Sequence, residues 1–93
     1  MDITKDLLLF HKFEYNHDKG FADFDEADYF YKTVGGLNHT FTITIHNLQT
    51  NMVGRNWTCI IDNDDHDTVA SVEVQTTDQL NKLFDIMNIN YSI

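Results

Sequence analysis

The sequence predicts an α+β fold in one small domain over residues 1–93: an N-terminal helix, a four-stranded antiparallel meander, and a C-terminal amphipathic helix packed on one sheet face. Three observations predict it. Apolar and polar residues alternate strictly over residues 40–46, turn-forming residues separate several short β-rich runs, and apolar residues recur at helical spacing near the C-terminus. With 93 residues, 42% of them apolar, the chain has the material for one core.

The N-terminal segment is predicted to begin a helix. Thr4 is a suitable N-cap residue before the apolar run Leu7–Phe10. Four consecutive apolar residues blur the helical period, so a strand over part of this segment is the alternative. Residues 16–28 are rich in acids and predict a solvated loop. The alternative is a short helix over the same stretch, in which Phe21, Phe24 and Ala27 would lie on one face.

The first two strands are predicted on either side of a glycine turn. Tyr29 to Val34 is aromatic and β-branched, and Gly35-Gly36 supplies the positive φ angles of a tight turn. In the second strand, residues 40–46, three apolar residues alternate with threonines and a histidine. This period of two is typical of a half-buried strand.

Two further strands are predicted at residues 57–62 and 70–75, joined by a hairpin whose acidic tip spans residues 63–68. One sheet face is then apolar and covered, and the other is polar and exposed. The apolar face comprises Phe41, Ile43, Ile45, Trp57, Cys59, Ile61, Ala70, Val72 and Val74. The polar face comprises Thr40, Thr42, Thr44, His46, Thr58, Ile60, Ser71, Glu73 and Gln75.

The C-terminal helix has the clearest boundary signals. Thr76 and Gln79 fit the N-cap and N3 positions of a capping box. Asn88 is a suitable residue to end the helix. The apolar stripe between these two ends consists of Leu80, Leu83, Phe84 and Met87.

The charge of the chain is strongly negative and unevenly distributed. Asp and Glu number 15 against 6 Lys and Arg, a net charge of −9. Such a surface opposes direct binding to nucleic acid or to an anionic membrane, and it attracts basic proteins or cations. Nine acids form two groups. The first acidic cluster is Asp18, Asp23, Asp25, Glu26 and Asp28, and the second acidic cluster is Asp62, Asp64, Asp65 and Asp67.

The second acidic cluster invites comparison with a calcium-binding loop. Counted from Asp62, acids stand at positions one and three and Glu73 stands at position twelve. His66 at position five is a poor ligand for a hard cation, and Asp67 replaces the glycine that the turn at position six needs. A polar hairpin tip therefore describes the segment better than a metal site.

Catalytic signatures are absent from the sequence. It has no phosphate loop, nucleophile elbow, HExxH or C-x-x-C motif. Cys59 falls on the apolar strand face, and the histidines lack zinc-ligand spacing. His66, beside three acids, is the one candidate general base. We therefore predict a protein without enzymatic activity and without a cofactor.

The favoured function is that of an acidic protein-binding module that engages a basic surface, with one contact patch in each acidic cluster. By analogy of composition alone, small acidic phage proteins that inhibit host defence, among them anti-CRISPR proteins and DNA mimics, use charge in this way. The alternatives are a divalent-metal-responsive module using the 62–67 hairpin and a small enzyme centred on His66. Met1–Asp6 lacks the basic start of a signal peptide, so we expect a cytoplasmic protein.

Overall fold

A five-stranded antiparallel sheet and two helices make up the fold in the computed structural model, which describes residues 1–18, 26–36, 39–49 and 57–93. The strands follow one another across the sheet in chain order, as in a meander. The radius of gyration is 13.2 Å, and about 13 Å is expected for a compact domain of 100 residues. The elements are α1 (Lys5–Phe10), β1 (Glu14–Asp18), β2 (Glu26–Gly35), β3 (Thr40–Gln49), β4 (Trp57–Asp62), β5 (Thr68–Val74) and α2 (Thr77–Ile86).

The predicted count of four strands is wrong by one, because Glu14–Asp18 forms a strand where a helix end and a solvated loop were expected. Thr4 caps α1 as predicted, accepting from the Leu7 amide at 3.1 Å. The helix then ends at Phe10, since Lys12 takes a left-handed φ of 63°. The Phe13 amide donates to the Leu8 carbonyl at 3.0 Å, as in a Schellman motif. β1 begins directly after this helix end.

The other four strands are confirmed, and three of them are longer than predicted. β2 begins at Glu26, β3 continues to Gln49 and β5 begins at Thr68. Ala27, considered for a short helix, is a buried residue of β2; Phe21 and Phe24 lie outside the described residues.

The apolar side chains of β3 and β4 are buried as the alternation predicts. Ile43, Ile45, Cys59 and Ile61 are all fully buried. They belong to one hydrophobic cluster with residues from α1 and α2. Val72 departs from the prediction, because it is 41% exposed although its strand partner Cys59 is fully buried.

The predicted capping box of α2 is present in both halves. The Thr76 hydroxyl accepts from the Gln79 amide at 3.3 Å, and the Gln79 side chain accepts from the Thr76 amide at 3.2 Å. Asn88 takes a left-handed φ of 57° directly after the C-cap residue, so the helix ends where expected. Leu80 and Phe84 are fully buried in the common core.

The opposite sheet face carries an aromatic pair among its polar residues. Tyr29 and His46 are register partners on β2 and β3, and their ring centroids lie 5.5 Å apart. Burial lowers the pKa of His46, because the protonated ring would lose hydration there. Next to this pair, Tyr31 is 39% exposed, and its hydrogen bond with the Glu14 carboxylate raises the pKa of the tyrosine.

Candidate functional site

The described members of the two acidic clusters lie toward opposite ends of the sheet. In an antiparallel meander, the end where β1 stops and β2 starts is opposite the end where β4 stops and β5 starts. The strand register gives the separation, because Ala27 pairs with Leu48 of β3 whereas Asp62 pairs with Thr42. The two rows are six residue steps apart along β3, which corresponds to about 20 Å at ~3.3 Å per residue. A partner would therefore meet two separate patches.

The tip of the β4–β5 hairpin is organised by Asn63. Its side-chain oxygen accepts from the amides of Asp65 at 3.0 Å and Asp67 at 2.9 Å. The Asn63 amide donates to the Asp67 carbonyl at 2.9 Å, and the His66 amide donates to the Asn63 carbonyl at 3.0 Å. These bonds form an Asx-type turn in which His66 takes a left-handed φ of 66°. The tip is thus a defined turn.

This turn presents its acids to solvent. Asp64, Asp65 and Asp67 are exposed, whereas Asp62 is half-buried and its carboxylate accepts from the Thr68 hydroxyl at 2.6 Å. Nδ1 of His39, from the adjacent β2–β3 connection, lies 3.6 Å from the Asp64 carboxylate. Both of these side chains are largely exposed, so the pair contributes little to stability and leaves the tip strongly negative.

Asp28, assigned from the sequence to the first contact patch, is instead buried on the core side of β2. Its side chain is only 11% exposed. The Tyr15 hydroxyl donates to its Oδ1 at 2.7 Å, and Nδ1 of His17 lies 2.7 Å from the same oxygen. Since a carboxylate only accepts, this ring nitrogen carries a proton. The strand register pairs His17 directly with Asp28, and these contacts give Asp28 a structural role.

The remaining members of the first acidic cluster are placed only in part. Asp18 is the last residue of β1 and Glu26 is the first residue of β2. Asp23 and Asp25 lie outside the described residues.

The polar side chains near Asp28 were not predicted from the sequence. Tyr15 and His17 belong to the unpredicted strand, and Lys5 of α1 places its Nζ 4.2 Å from the centre of the Tyr15 ring. A hydrogen bond with Tyr15 raises the pKa of Lys5. The alternation of Tyr15 and His17 with polar neighbours was the signal for this strand, but five residues are too few to make that signal clear.

The calcium-loop comparison finds no support in the described residues. Glu73 pairs with Thr58 within the sheet, six residues beyond Asp67. Six extended residues span about 20 Å, which places its backbone far from the tip. Nowhere in the described ranges do three or more His, Cys, Asp or Glu residues come together as metal ligands.

The two candidates for catalysis lie in different settings. Cys59 is fully buried, and burial raises the pKa of its thiol to about 12, so the nucleophilic thiolate is not available near neutral pH. His66 is exposed on the hairpin tip, where its left-handed backbone serves the turn.

Among the described helices, none has the length and apolar character needed to cross a membrane. No protein-family model, curated protein or solved structure matches this chain.

Proposed function

We propose that this protein is a non-enzymatic, cytoplasmic protein-binding module whose acidic hairpin tip engages a basic surface of a partner. The observation that carries the proposal is the tip itself: Asp64, Asp65 and Asp67 are exposed on a turn held by the side chain of Asn63. A surface whose backbone is already ordered loses less conformational entropy on binding. The tip therefore combines negative charge with a fixed backbone.

The partner class follows from this charge. Carboxylates grouped on a chain of net charge −9 speed association with a basic surface and disfavour acidic partners. Grooves that bind nucleic acid are the most basic surfaces of many proteins, because they neutralise backbone phosphates. The favoured partner is a nucleic-acid-binding enzyme, which this protein would inhibit by occupying its groove, in the manner of a DNA mimic or a phage anti-CRISPR protein.

The first acidic cluster supplies a second patch in this proposal, through Asp18, Asp23, Asp25 and Glu26. Asp28 is left out because its carboxylate is engaged by Tyr15 and His17. A groove that contacts both patches must extend about 20 Å, the separation estimated from the strand rise. In this proposal α2 also covers the apolar face of the sheet. The burial of Leu80 and Phe84 in the common core supports this packing.

Capture of partners from a cell lysate tests the proposal. The immobilised full chain is compared with a tip variant, D64N/D65N/D67N, at increasing salt concentrations. We expect captured proteins to be rich in nucleic-acid-binding enzymes, to dissociate as salt rises, and to be lost by the tip variant. The purified partner is then tested for loss of nucleic-acid binding when the wild-type chain is added.

A matched control removes the same charge from elsewhere. Asp2, Asp6 and Asp78 are exposed and lie outside both acidic clusters, so D2N/D6N/D78N has the same net charge as the tip variant. The proposal predicts that this control retains the partner. Equal losses from both variants would show that net charge alone governs capture. Capture that ignores both variants and salt would reject the proposal.

A further inference from the structure

β5 forms one edge of the sheet among the residues that the structure describes. β5 is the last strand in the order β1-β2-β3-β4-β5, and among the described residues only β4 pairs with it as a strand. An edge strand presents backbone N–H and C=O groups that can bond to an added strand. Directly after β5, the chain itself makes strand-like pairing: the Ile3 amide donates to the Gln75 carbonyl and the Thr77 amide to the Met1 carbonyl, both at 2.9 Å.

Two valine side chains of β5 leave apolar surface exposed at this edge of the sheet. Val72 faces the same side as its fully buried partner Cys59, yet it is 41% exposed. Val69, beside the irregularity between Ile61 and Asp62, is 46% exposed. An added strand would place a side chain about 5 Å from Val72, and an apolar residue there would remove this surface from water.

The usual protections of an edge strand are few on β5. It contains no Lys and no Pro, and its one irregularity lies at the end near the tip, which leaves Ala70–Val74 in regular register. Ala70–Val74 is therefore the stretch of this edge that suits an added strand.

The negative charge near β5 favours an added strand that carries basic residues. β5 begins directly after Asp67, an exposed acid of the second acidic cluster, so a segment added along β5 has one end next to the acidic tip. A second copy of this chain would bring another net charge of −9 to the same place, which like-charge repulsion opposes. A segment carrying Lys or Arg has the complementary charge.

We propose that the edge of β5 binds an extended basic segment of the partner by strand addition, with apolar residues beside Val72 alternating with Lys or Arg. This inference rests on the proposed function, because it specifies how the partner of the acidic tip is held. Backbone hydrogen bonds would supply affinity, and the alternating side chains would supply specificity.

An NMR titration with a defined peptide tests this site. The probe alternates lysine and valine over the seven-residue length of β5, and it is added to the full-length ¹⁵N-labelled chain. We expect shifts in the amides of β5 and slower hydrogen exchange there. The same peptide with N-methylated valines keeps its charge but cannot form the backbone bonds, so we expect its affinity to fall by about 10-fold or more.

Two matched variants locate the contact on the chain. Val72→Lys places a like charge beside the basic peptide and should weaken binding by about 10-fold. Ile86→Lys makes the same kind of change at an aliphatic residue of α2 that is 78% exposed, and it should change affinity by less than about 2-fold. Circular dichroism confirms that each variant is folded, and the N-methylated peptide provides a test that needs no variant.

The possible results separate this inference from the proposed function. Equal binding of the N-methylated peptide, or shifts confined to the tip, would overturn strand addition. So would shifts of β5 that depend on protein concentration without peptide, because they would identify a second copy as the occupant. If Val72→Lys retains a lysate partner that the tip variant loses, strand addition fails while the proposed function stands. If the peptide binds β5 but no captured partner depends on the tip, the site stands and the proposed function fails.

Discussion

Acids that look alike in the sequence differ in the fold, as one member of the first acidic cluster and two members of the second show. Asp28 of the first cluster is buried and bonded to Tyr15 and His17, whereas Asp64 and Asp65 of the second cluster are exposed on a turn. The first arrangement couples a carboxylate to the pairing of β1 with β2, and the second leaves carboxylates exposed to solvent. The difference shows that strand register, rather than the local density of acids, determines what an acid does.

The largest expected effect comes from Asp28→Ala. It removes the carboxylate that accepts two short hydrogen bonds, one from the Tyr15 hydroxyl and one from the His17 ring. Hydrogen bonds to charged groups contribute ~1.5–3 kcal/mol each, so we expect the free energy of unfolding in urea to fall by about 3 kcal/mol. Asp64→Ala is the matched control and should change it by less than ~0.5 kcal/mol. Equal effects of the two substitutions would contradict the comparison.

A smaller loss is expected for Asn63→Ala, which removes the acceptor for the Asp65 and Asp67 amides. Exposed amides can bond to water instead, so the loss of unfolding free energy should be about 1 kcal/mol. Asn90→Ala, at an exposed asparagine outside the tip, serves as the control. If Asn63→Ala is as mild as that control, the tip is not ordered by its Asx turn.

His66→Gly should stabilise the protein slightly. A left-handed φ of 66° strains a residue with a β-carbon, and glycine removes this strain at some cost in chain entropy, for a net gain of about 0.5 kcal/mol in thermal or urea unfolding. Partner capture should be unchanged, because the carboxylates remain. A destabilised variant would show that the His66 side chain has a role beyond the turn.

The smallest effect is a pH dependence due to His46. Burial lowers the pKa of His46 below its ordinary value of 6.5, so the unfolded chain takes up this proton first as the pH falls. Its contribution to stability is complete above pH 6.5 and is lost as the pH falls through the folded pKa. Urea unfolding across this range should therefore decline less in His46→Gln than in the wild type. Parallel profiles would contradict the assignment.

Prediction from the sequence succeeded where local patterns agree with the tertiary structure. The strict alternation of β3 and the capping box of α2 were both confirmed. The end of α1 was missed because Lys12, rather than glycine or asparagine, takes the left-handed conformation. β1 begins two residues after Lys12, and the pairing of β1 with β2 buries Asp28. No local property of Asp28 distinguishes it from its acidic neighbours, so only the register reveals its role.

The central claim is that the acids of the tip serve recognition while Asp28 serves the fold. The most direct measurement combines urea unfolding with retention of the captured partner for D64N/D65N/D67N and for Asp28→Asn. We predict that the tip variant keeps its unfolding free energy within ~0.5 kcal/mol and loses the partner. Asp28→Asn, under conditions where it is folded, should be less stable and should retain the partner. The opposite pattern, with the partner retained by the tip variant and lost by folded Asp28→Asn, would contradict the account.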